Sequence, residues 1–170
     1  AFCWSKISAE ILDQQKALLE EEATKANAQV TALAQMQKWI ADYEDTGFGQ
    51  CFLANDHIAG IVRDNLLYFD GKHYDLCCWC IMPNHVHVLI APYAEYSLSN
   101  ILHSWRSYTA KEINKLLGRT GKVWMNEYHD RYIRDQRHFN AVVEYIHNNP
   151  VKAGLVSEAQ QYRWSSAFES

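Results

Sequence analysis

Two apolar runs joined by a tight turn constrain the fold of this chain more than any other feature. His73 to Met82 is rich in aromatic and small apolar residues, and His85 to Ala91 in Val, Leu and Ile. Both read as strands. Pro83-Asn84 between them leaves room only for a hairpin turn, so the two strands must pair antiparallel. Pro92 closes the second.

Helical patterns surround this hairpin. Ser8 to about Tyr43 has no Pro or Gly and carries Val30, Leu33, Met36, Ile40 and Tyr43 at helical spacing, with a possible break near Ala26. Asn55 or Asp56 caps a helix to about Phe69. Ser97 or Ser99 caps another to about Leu117, with Leu98, Ile101, Leu102, Trp105, Ile113 and Leu116 as its buried stripe. A further helix runs from about Arg137 to Asn149 and is stopped by Pro150. Short strands are expected at Val123-Trp124 and Tyr132-Ile133-Arg134. The expected class is α+β, an antiparallel sheet with helices packed on one side. The 170 residues fit one domain, 1–170, and 48% apolar residues suffice for a core without covalent staples. The chain opens inside an apolar run without Met, which reads as a first strand that has lost its beginning.

Composition excludes several classes. No run of about 18 apolar residues exists, so no membrane helix is expected. Five Cys is an odd number, and a chain this size needs no disulfides. Both points favour a reducing, cytoplasmic setting. Cys77-Cys78-Trp79-Cys80 has a C-x-x-C spacing but no second pair to complete a zinc site. Buried small side chains are the simpler reading. The net charge of −4 argues against a generic polyanion binder, but residues 1–75 hold 6 basic and 12 acidic groups and residues 76–170 hold 10 and 8. The ten fall between Arg106 and Arg163, which leaves room for a local phosphate-binding face. Basic residues interleave with aromatics from Trp105 to Arg137, a pattern suited to single-stranded nucleic acid.

Two groups carry candidate chemistry. His85 and His87 occupy positions i and i+2 of a strand, so both imidazoles leave one face while Val86 and Val88 enter the core on the other. Such a pair can chelate a divalent metal. The competing reading is two surface histidines on a half-exposed strand. On the last helix Tyr145 and Asn149 lie one turn apart on one face. A phenol beside a metal-bound phosphodiester becomes a usable nucleophile, and an amide oxygen could complete the metal shell. The competing reading is a packing aromatic and a helix-terminal Asn. Tyr108, with Glu112 one turn on, is the rival nucleophile, although Arg106, Lys111 and Lys115 give that helix the character of a backbone-binding face.

The run Trp79-Cys80-Ile81-Met82-Pro83-Asn84-His85-Val86-His87-Val88-Leu89 resembles the HUH strand of REP-associated tyrosine transposases. Tyr145-Ile146-His147-Asn148-Asn149-Pro150-Val151-Lys152-Ala153-Gly154-Leu155-Val156 resembles their tyrosine helix and its exit. His103-Ser104-Trp105, Gly121-Lys122-Val123-Trp124, Asp130-Arg131-Tyr132-Ile133-Arg134 and Trp164-Ser165-Ser166 also fit, so the resemblance spans about Asp45 to Ala167. It implies a ferredoxin-like sheet with the HUH pair on a central strand. It also implies site-specific cleavage and strand transfer on single-stranded or hairpin DNA through a 5′-phosphotyrosine. Tyr145 would be the nucleophile; His85, His87 and Asn149 would hold Mg²⁺ or Mn²⁺. Arg106, Lys111, Lys115, Arg119, Lys122, Arg131, Arg134 and Lys152 are the candidate DNA contacts, and the protein would act as a monomer or homodimer. Two other functions compete: a metal-dependent phosphodiesterase with water as nucleophile, and a hairpin-binding protein without catalysis.

Overall fold

The computed structural model describes residues 2–7, 51–125 and 128–168. The helix expected over about 8–44 lies outside the described residues. The described elements, in chain order, are β1 (Phe2–Ile7), α1 (Asp56–Phe69), β2 (Tyr74–Ile81), β3 (Val86–Pro92), α2 (Leu98–Leu116), β4 (Tyr128–Ile133) and α3 (Gln136–Lys152). Single 3₁₀ turns precede α1 and follow α3.

Local chemistry sets the helix starts. The Asn55 side chain accepts from the backbone N–H groups of His57 and Ile58 and starts α1. Ser97 does the same for Asn100 in α2, and Asp135 for His138 in α3. These caps satisfy donors that have no partner inside a helix.

The strands form one sheet in the order β2-β3-β1-β4. This is the strand order of a ferredoxin-like sheet and places β3 in its interior. β2 and β3 pair antiparallel, as their short turn requires. The sheet is nevertheless mixed, because β1 runs parallel to both β3 and β4. A two-residue turn dictates direction only for the strands it joins, and long connections permit either sense. β2 also carries a bulge between Leu76 and Cys78. The bulge leaves Cys77 exposed, while Cys78 and Cys80 are buried. The expectation of buried cysteines thus fails at Cys77, since the extra residue of a bulge has no place in the pleat.

Helices cover both faces of the sheet rather than one. Val86, Val88 and Ile90 of β3 pack with Ile58, Val62 and Leu66 of α1 and with Ile101, Trp105 and Ile113 of α2. On the opposite face Cys78, Cys80 and Leu89 pack with Ile133 and with Ile146 of α3. The one-sided expectation fails because an amphipathic helix does not announce which sheet face its apolar stripe will meet. Leu116, expected in the buried stripe of α2, is 50% exposed at the end of the helix.

Val123-Trp124 is not a strand. Trp124 instead plugs the core, and its indole N–H donates to Thr109 Oγ1 at 2.8 Å. Thr109 is fully buried and donates in turn to the Trp105 carbonyl at 2.7 Å. Thr109→Val keeps the shape but removes the acceptor for a buried N–H. It is expected to cost about 1–3 kcal/mol, measurable as a lower urea midpoint with unchanged m-value.

The C-terminal segment closes the β2 edge. Ile81 N–H donates to the Trp164 carbonyl at 2.8 Å, and Ser166 N–H to the Trp79 carbonyl at 3.0 Å. The Trp164 indole N–H reaches Asp56 at 2.9 Å and ties this segment to the start of α1. Among the described residues, no helix is long and apolar enough to cross a membrane.

Candidate active site

The site forms where the turn between β2 and β3 meets the middle of α3. The Met82 N–H donates to the His85 carbonyl at 2.8 Å, closing the turn so that β3 begins at Val86. His85 therefore stands at the mouth of the strand and His87 one pleat inside it. Their rings meet edge-to-face, centroids 4.5 Å apart, with the two Nε2 atoms 2.8 Å from each other.

Both imidazoles are buried, each 2% exposed, so the surface-histidine reading is wrong. α3 covers them, with Tyr145 against His87. Asn84 orients the first ring, with His85 Nδ1 and Asn84 Oδ1 2.8 Å apart. Since the amide oxygen can only accept, His85 Nδ1 carries the proton and its Nε2 presents a lone pair.

Tyr145 is half-buried and stacks edge-on against His87, centroids 5.5 Å apart. Asn149 is fully buried one turn later. Its Nδ2 donates to the Tyr145 carbonyl at 3.3 Å. Its Oδ1 and His87 Nδ1 are both buried; Asn149 favours the His87 proton, yet neither atom makes a hydrogen bond of ordinary geometry. Lys152 sets its ammonium 4.5 Å from the centre of the Tyr145 ring. Behind the helix, His147 Nε2 lies 2.9 Å from Ser166 Oγ, which links α3 to the segment along the β2 edge.

Burial lowers the pKa of His85 well below 6.5, and the neighbouring His87 adds to the shift. Burial lowers His87 to about 4. Both rings are therefore neutral at physiological pH and available as ligands. Above pH 6.5 the unfolded imidazoles are neutral too, and no linkage arises. Below it the unfolded chain takes up protons that the folded chain refuses, so stability falls with pH. The melting temperature in EDTA is expected to drop as pH falls from 6.5 toward about 4, the window set by His87. A flat profile across that window would show that the imidazoles are not buried.

The donor set suits a divalent ion. Two neutral nitrogens face each other at a separation slightly below that of neighbouring ligands on one metal, and a buried amide oxygen without a partner lies on the adjoining helix. Among the described residues no group of three or more His, Cys, Asp or Glu gathers anywhere. The Asn149 amide oxygen is a neutral donor of the kind that substrate oxygens and water complement in a hard-metal shell.

The remaining sequence candidates are dispersed. Tyr108 is exposed on α2, whose buried side packs on the sheet face carrying Val86 and Val88. Tyr108 and Glu112 are thus separated from His85 and His87 by the sheet itself. Arg106, Lys111 and Lys115 belong to the same helix, and Arg119 and Lys122 to the loop after it. Arg119 stacks on Phe52 and donates to the Lys122 carbonyl at 3.0 Å. Arg106 donates to the Met125 carbonyl. Arg131 lies on β4, in register with Ser5, and Arg134 is exposed just beyond it. Lys152, a further predicted DNA contact, is placed against Tyr145.

Sequence reasoning missed Asn84 as the orienting partner of His85, although its position beside the pair is a usable signal. It also missed the His147–Ser166 link, which joins residues distant in the chain and leaves no local trace.

Comparison with known proteins places this geometry. Residues 55–149 match the sequence pattern of the family described as Transposase IS200 like. No curated protein matches the chain. Among solved structures, a REP-associated tyrosine transposase bound to a REP hairpin is similar, with a TM-score of 0.56 at 20% identity, over 72% of each chain. At that identity the likeness is one of fold. The family match covers more than half of the chain, including the turn, both imidazoles, the tyrosine and the buried amide, and the chain therefore belongs to the IS200-like transposases.

Proposed function

We propose that this protein cuts and rejoins single-stranded or hairpin DNA through Tyr145, as one domain spanning 1–170. The observation that carries the reading is the convergence of Tyr145 on His87 from a different element, with centroids 5.5 Å apart, beside the unpartnered Asn149 oxygen. A phenol placed for packing alone needs neither a neighbouring pair of neutral imidazoles nor a buried amide acceptor.

In this reading His85, His87 and Asn149 would hold Mg²⁺ or Mn²⁺. The bound ion would draw electron density from the phosphate. The phenolic oxygen of Tyr145 attacks phosphorus, the bond from phosphorus to the 3′-oxygen breaks, and the protein stays on the 5′ side of the break. The phenolic proton leaves to solvent, and the 3′-oxygen is released as a hydroxyl. Attack by that hydroxyl on the phosphotyrosine reverses the exchange and joins strands. Asn84 contributes by holding His85 with its Nε2 lone pair toward the site. The basic residues of α2 and its following loop lie on the other helix layer and would contact DNA away from the cut. The solved neighbour is bound to a REP hairpin, which supports a hairpin as the substrate.

The test uses circular single-stranded phage DNA with the protein in Mn²⁺, run on a denaturing gel. A covalent protein–DNA species that survives denaturant, disappears in EDTA and leaves a 3′ end that a polymerase extends is the expected result. Cleavage without any covalent species would instead indicate attack by water.

A further inference from the structure

Tyr145, Asn149 and Lys152 are separated by four residues and then three. They stand in one row only if helical geometry continues through Pro150. The sequence suggests a stop there, but α3 runs on to Lys152 with Pro150 inside it. Proline removes one N–H from the ladder and its ring crowds the carbonyl four residues back, so the last turn is held by other bonds. The end is closed by Ala153 N–H to the Asn149 carbonyl at 3.0 Å and Leu155 N–H to the Pro150 carbonyl at 2.9 Å. Gly154, at φ +69°, then turns the chain away.

The extra turn has a chemical consequence. It carries an ammonium to the ring of the candidate nucleophile, 4.5 Å from its centre and within cation–π range. Among the described residues, those shown in the site beside Tyr145 are buried and uncharged: two neutral imidazoles and an amide. Lys152 itself is exposed, over the ring of the half-buried Tyr145. A phosphate brought to the phenol would meet this cation. The position at the C-terminal end of α3 also favours a positive charge, because the helix dipole is negative there.

We propose that Lys152 holds the phosphodiester attacked by Tyr145, its Nζ–H groups donating to the non-bridging oxygens and offsetting the charge that builds on them during attack. This rests on the reading of Tyr145 as nucleophile. It gives Lys152 a role distinct from that of Lys111 and Lys115, which lie on α2 across the sheet. The ammonium forms no covalent bond and keeps its proton. Its effect falls on the chemical step, since the charge it meets is larger in the transition state than in the bound strand.

The experiment has two parts. In the first, Lys152→Ala and Lys152→Arg are compared with the wild type for the rate of adduct formation on circular single-stranded DNA in Mn²⁺. Affinity for the same DNA is measured in EDTA. The rate with Lys152→Ala is expected to fall about a hundredfold, in the range seen when one charge-stabilising donor is removed. DNA affinity should change by less than about threefold, since one phosphate contact is a small part of a polyanion's total. Lys152→Arg should recover most of the rate, a rescue that a purely structural loss would not show. In the second part the lysines are ¹³C-dimethylated and inorganic phosphate is titrated by NMR, with the Lys152 signal assigned from Lys152→Arg. The Lys152 resonance should shift further than those of Lys111 and Lys115. If the wild type forms no adduct, the nuclease reading fails, and the phosphate titration still decides whether Lys152 grips phosphate. A wild-type rate in Lys152→Ala, or a Lys152 signal indifferent to phosphate, overturns the proposal.

Discussion

Tyr145→Phe is expected to abolish the covalent protein–DNA species while leaving the fold and DNA binding intact. The change removes one oxygen and keeps the ring. Tyr145 stacks on His87 through that ring and lies under Lys152 through its face, so both contacts survive. The hydroxyl is the only part of the side chain that can attack phosphorus. Losing a nucleophile of this kind lowers rates by more than about a thousandfold, leaving at most a residue from substrate positioning. Tyr108→Phe is the matching control. Tyr108 stands on a helix whose buried side meets the opposite face of the sheet from the imidazoles, so its removal should leave adduct formation intact. The measurement is the fraction of protein shifted on a denaturing gel, together with the melting temperature of each variant. An adduct that persists in Tyr145→Phe and vanishes in Tyr108→Phe would move the active site to α2, with Glu112 as its carboxylate.

Mn²⁺ is expected to raise the melting temperature of the wild type and not that of His87→Ala. A ligand that binds only the folded state at a hundred times its dissociation constant stabilises by about 2.7 kcal/mol. For a chain of this size that corresponds to roughly 5–10 °C. His87→Ala removes one of the two facing nitrogens, leaves His85 Nε2 without its 2.8 Å neighbour and opens a cavity beneath Tyr145. The variant should therefore melt earlier even in EDTA, by an amount corresponding to about 1–3 kcal/mol. The separable signature is the metal increment, large in the wild type and absent in the variant. An equal Mn²⁺ increment in both proteins would place the metal elsewhere. Because the ligands must be neutral to bind, the increment should shrink as pH falls toward the protonation of the imidazoles.

Much of this protein is determined within short stretches of its sequence. The hairpin follows from two apolar runs and a two-residue turn. The helix starts at Asp56, Leu98 and Gln136 follow from an Asn, a Ser and an Asp placed where free N–H groups need acceptors. That His85 and His87 share a face follows from the strand period alone, and that Tyr145 and Asn149 share one follows from the helix period. These are local relations, set by backbone geometry over a few residues.

Other features required the tertiary structure, because they depend on which surfaces meet. Strand periodicity puts the imidazoles on one face but does not say that α3 will cover that face, so surface and buried histidines look alike in sequence. Tyr108 and Tyr145 look equally eligible in sequence for the same reason; the sheet between α2 and the imidazoles separates Tyr108 from the site. The direction of β1 was undetermined because no short turn constrains it. Pro150 reads as a helix stop because its missing N–H and its ring oppose a continuing turn. Whether that turn survives depends on the bonds made beyond it, by Ala153 and Leu155, and on the packing of Ile146 and Asn149 against the sheet. Its survival brings Lys152 to Tyr145, a contact fixed by the docking of a whole helix and not by residue spacing alone.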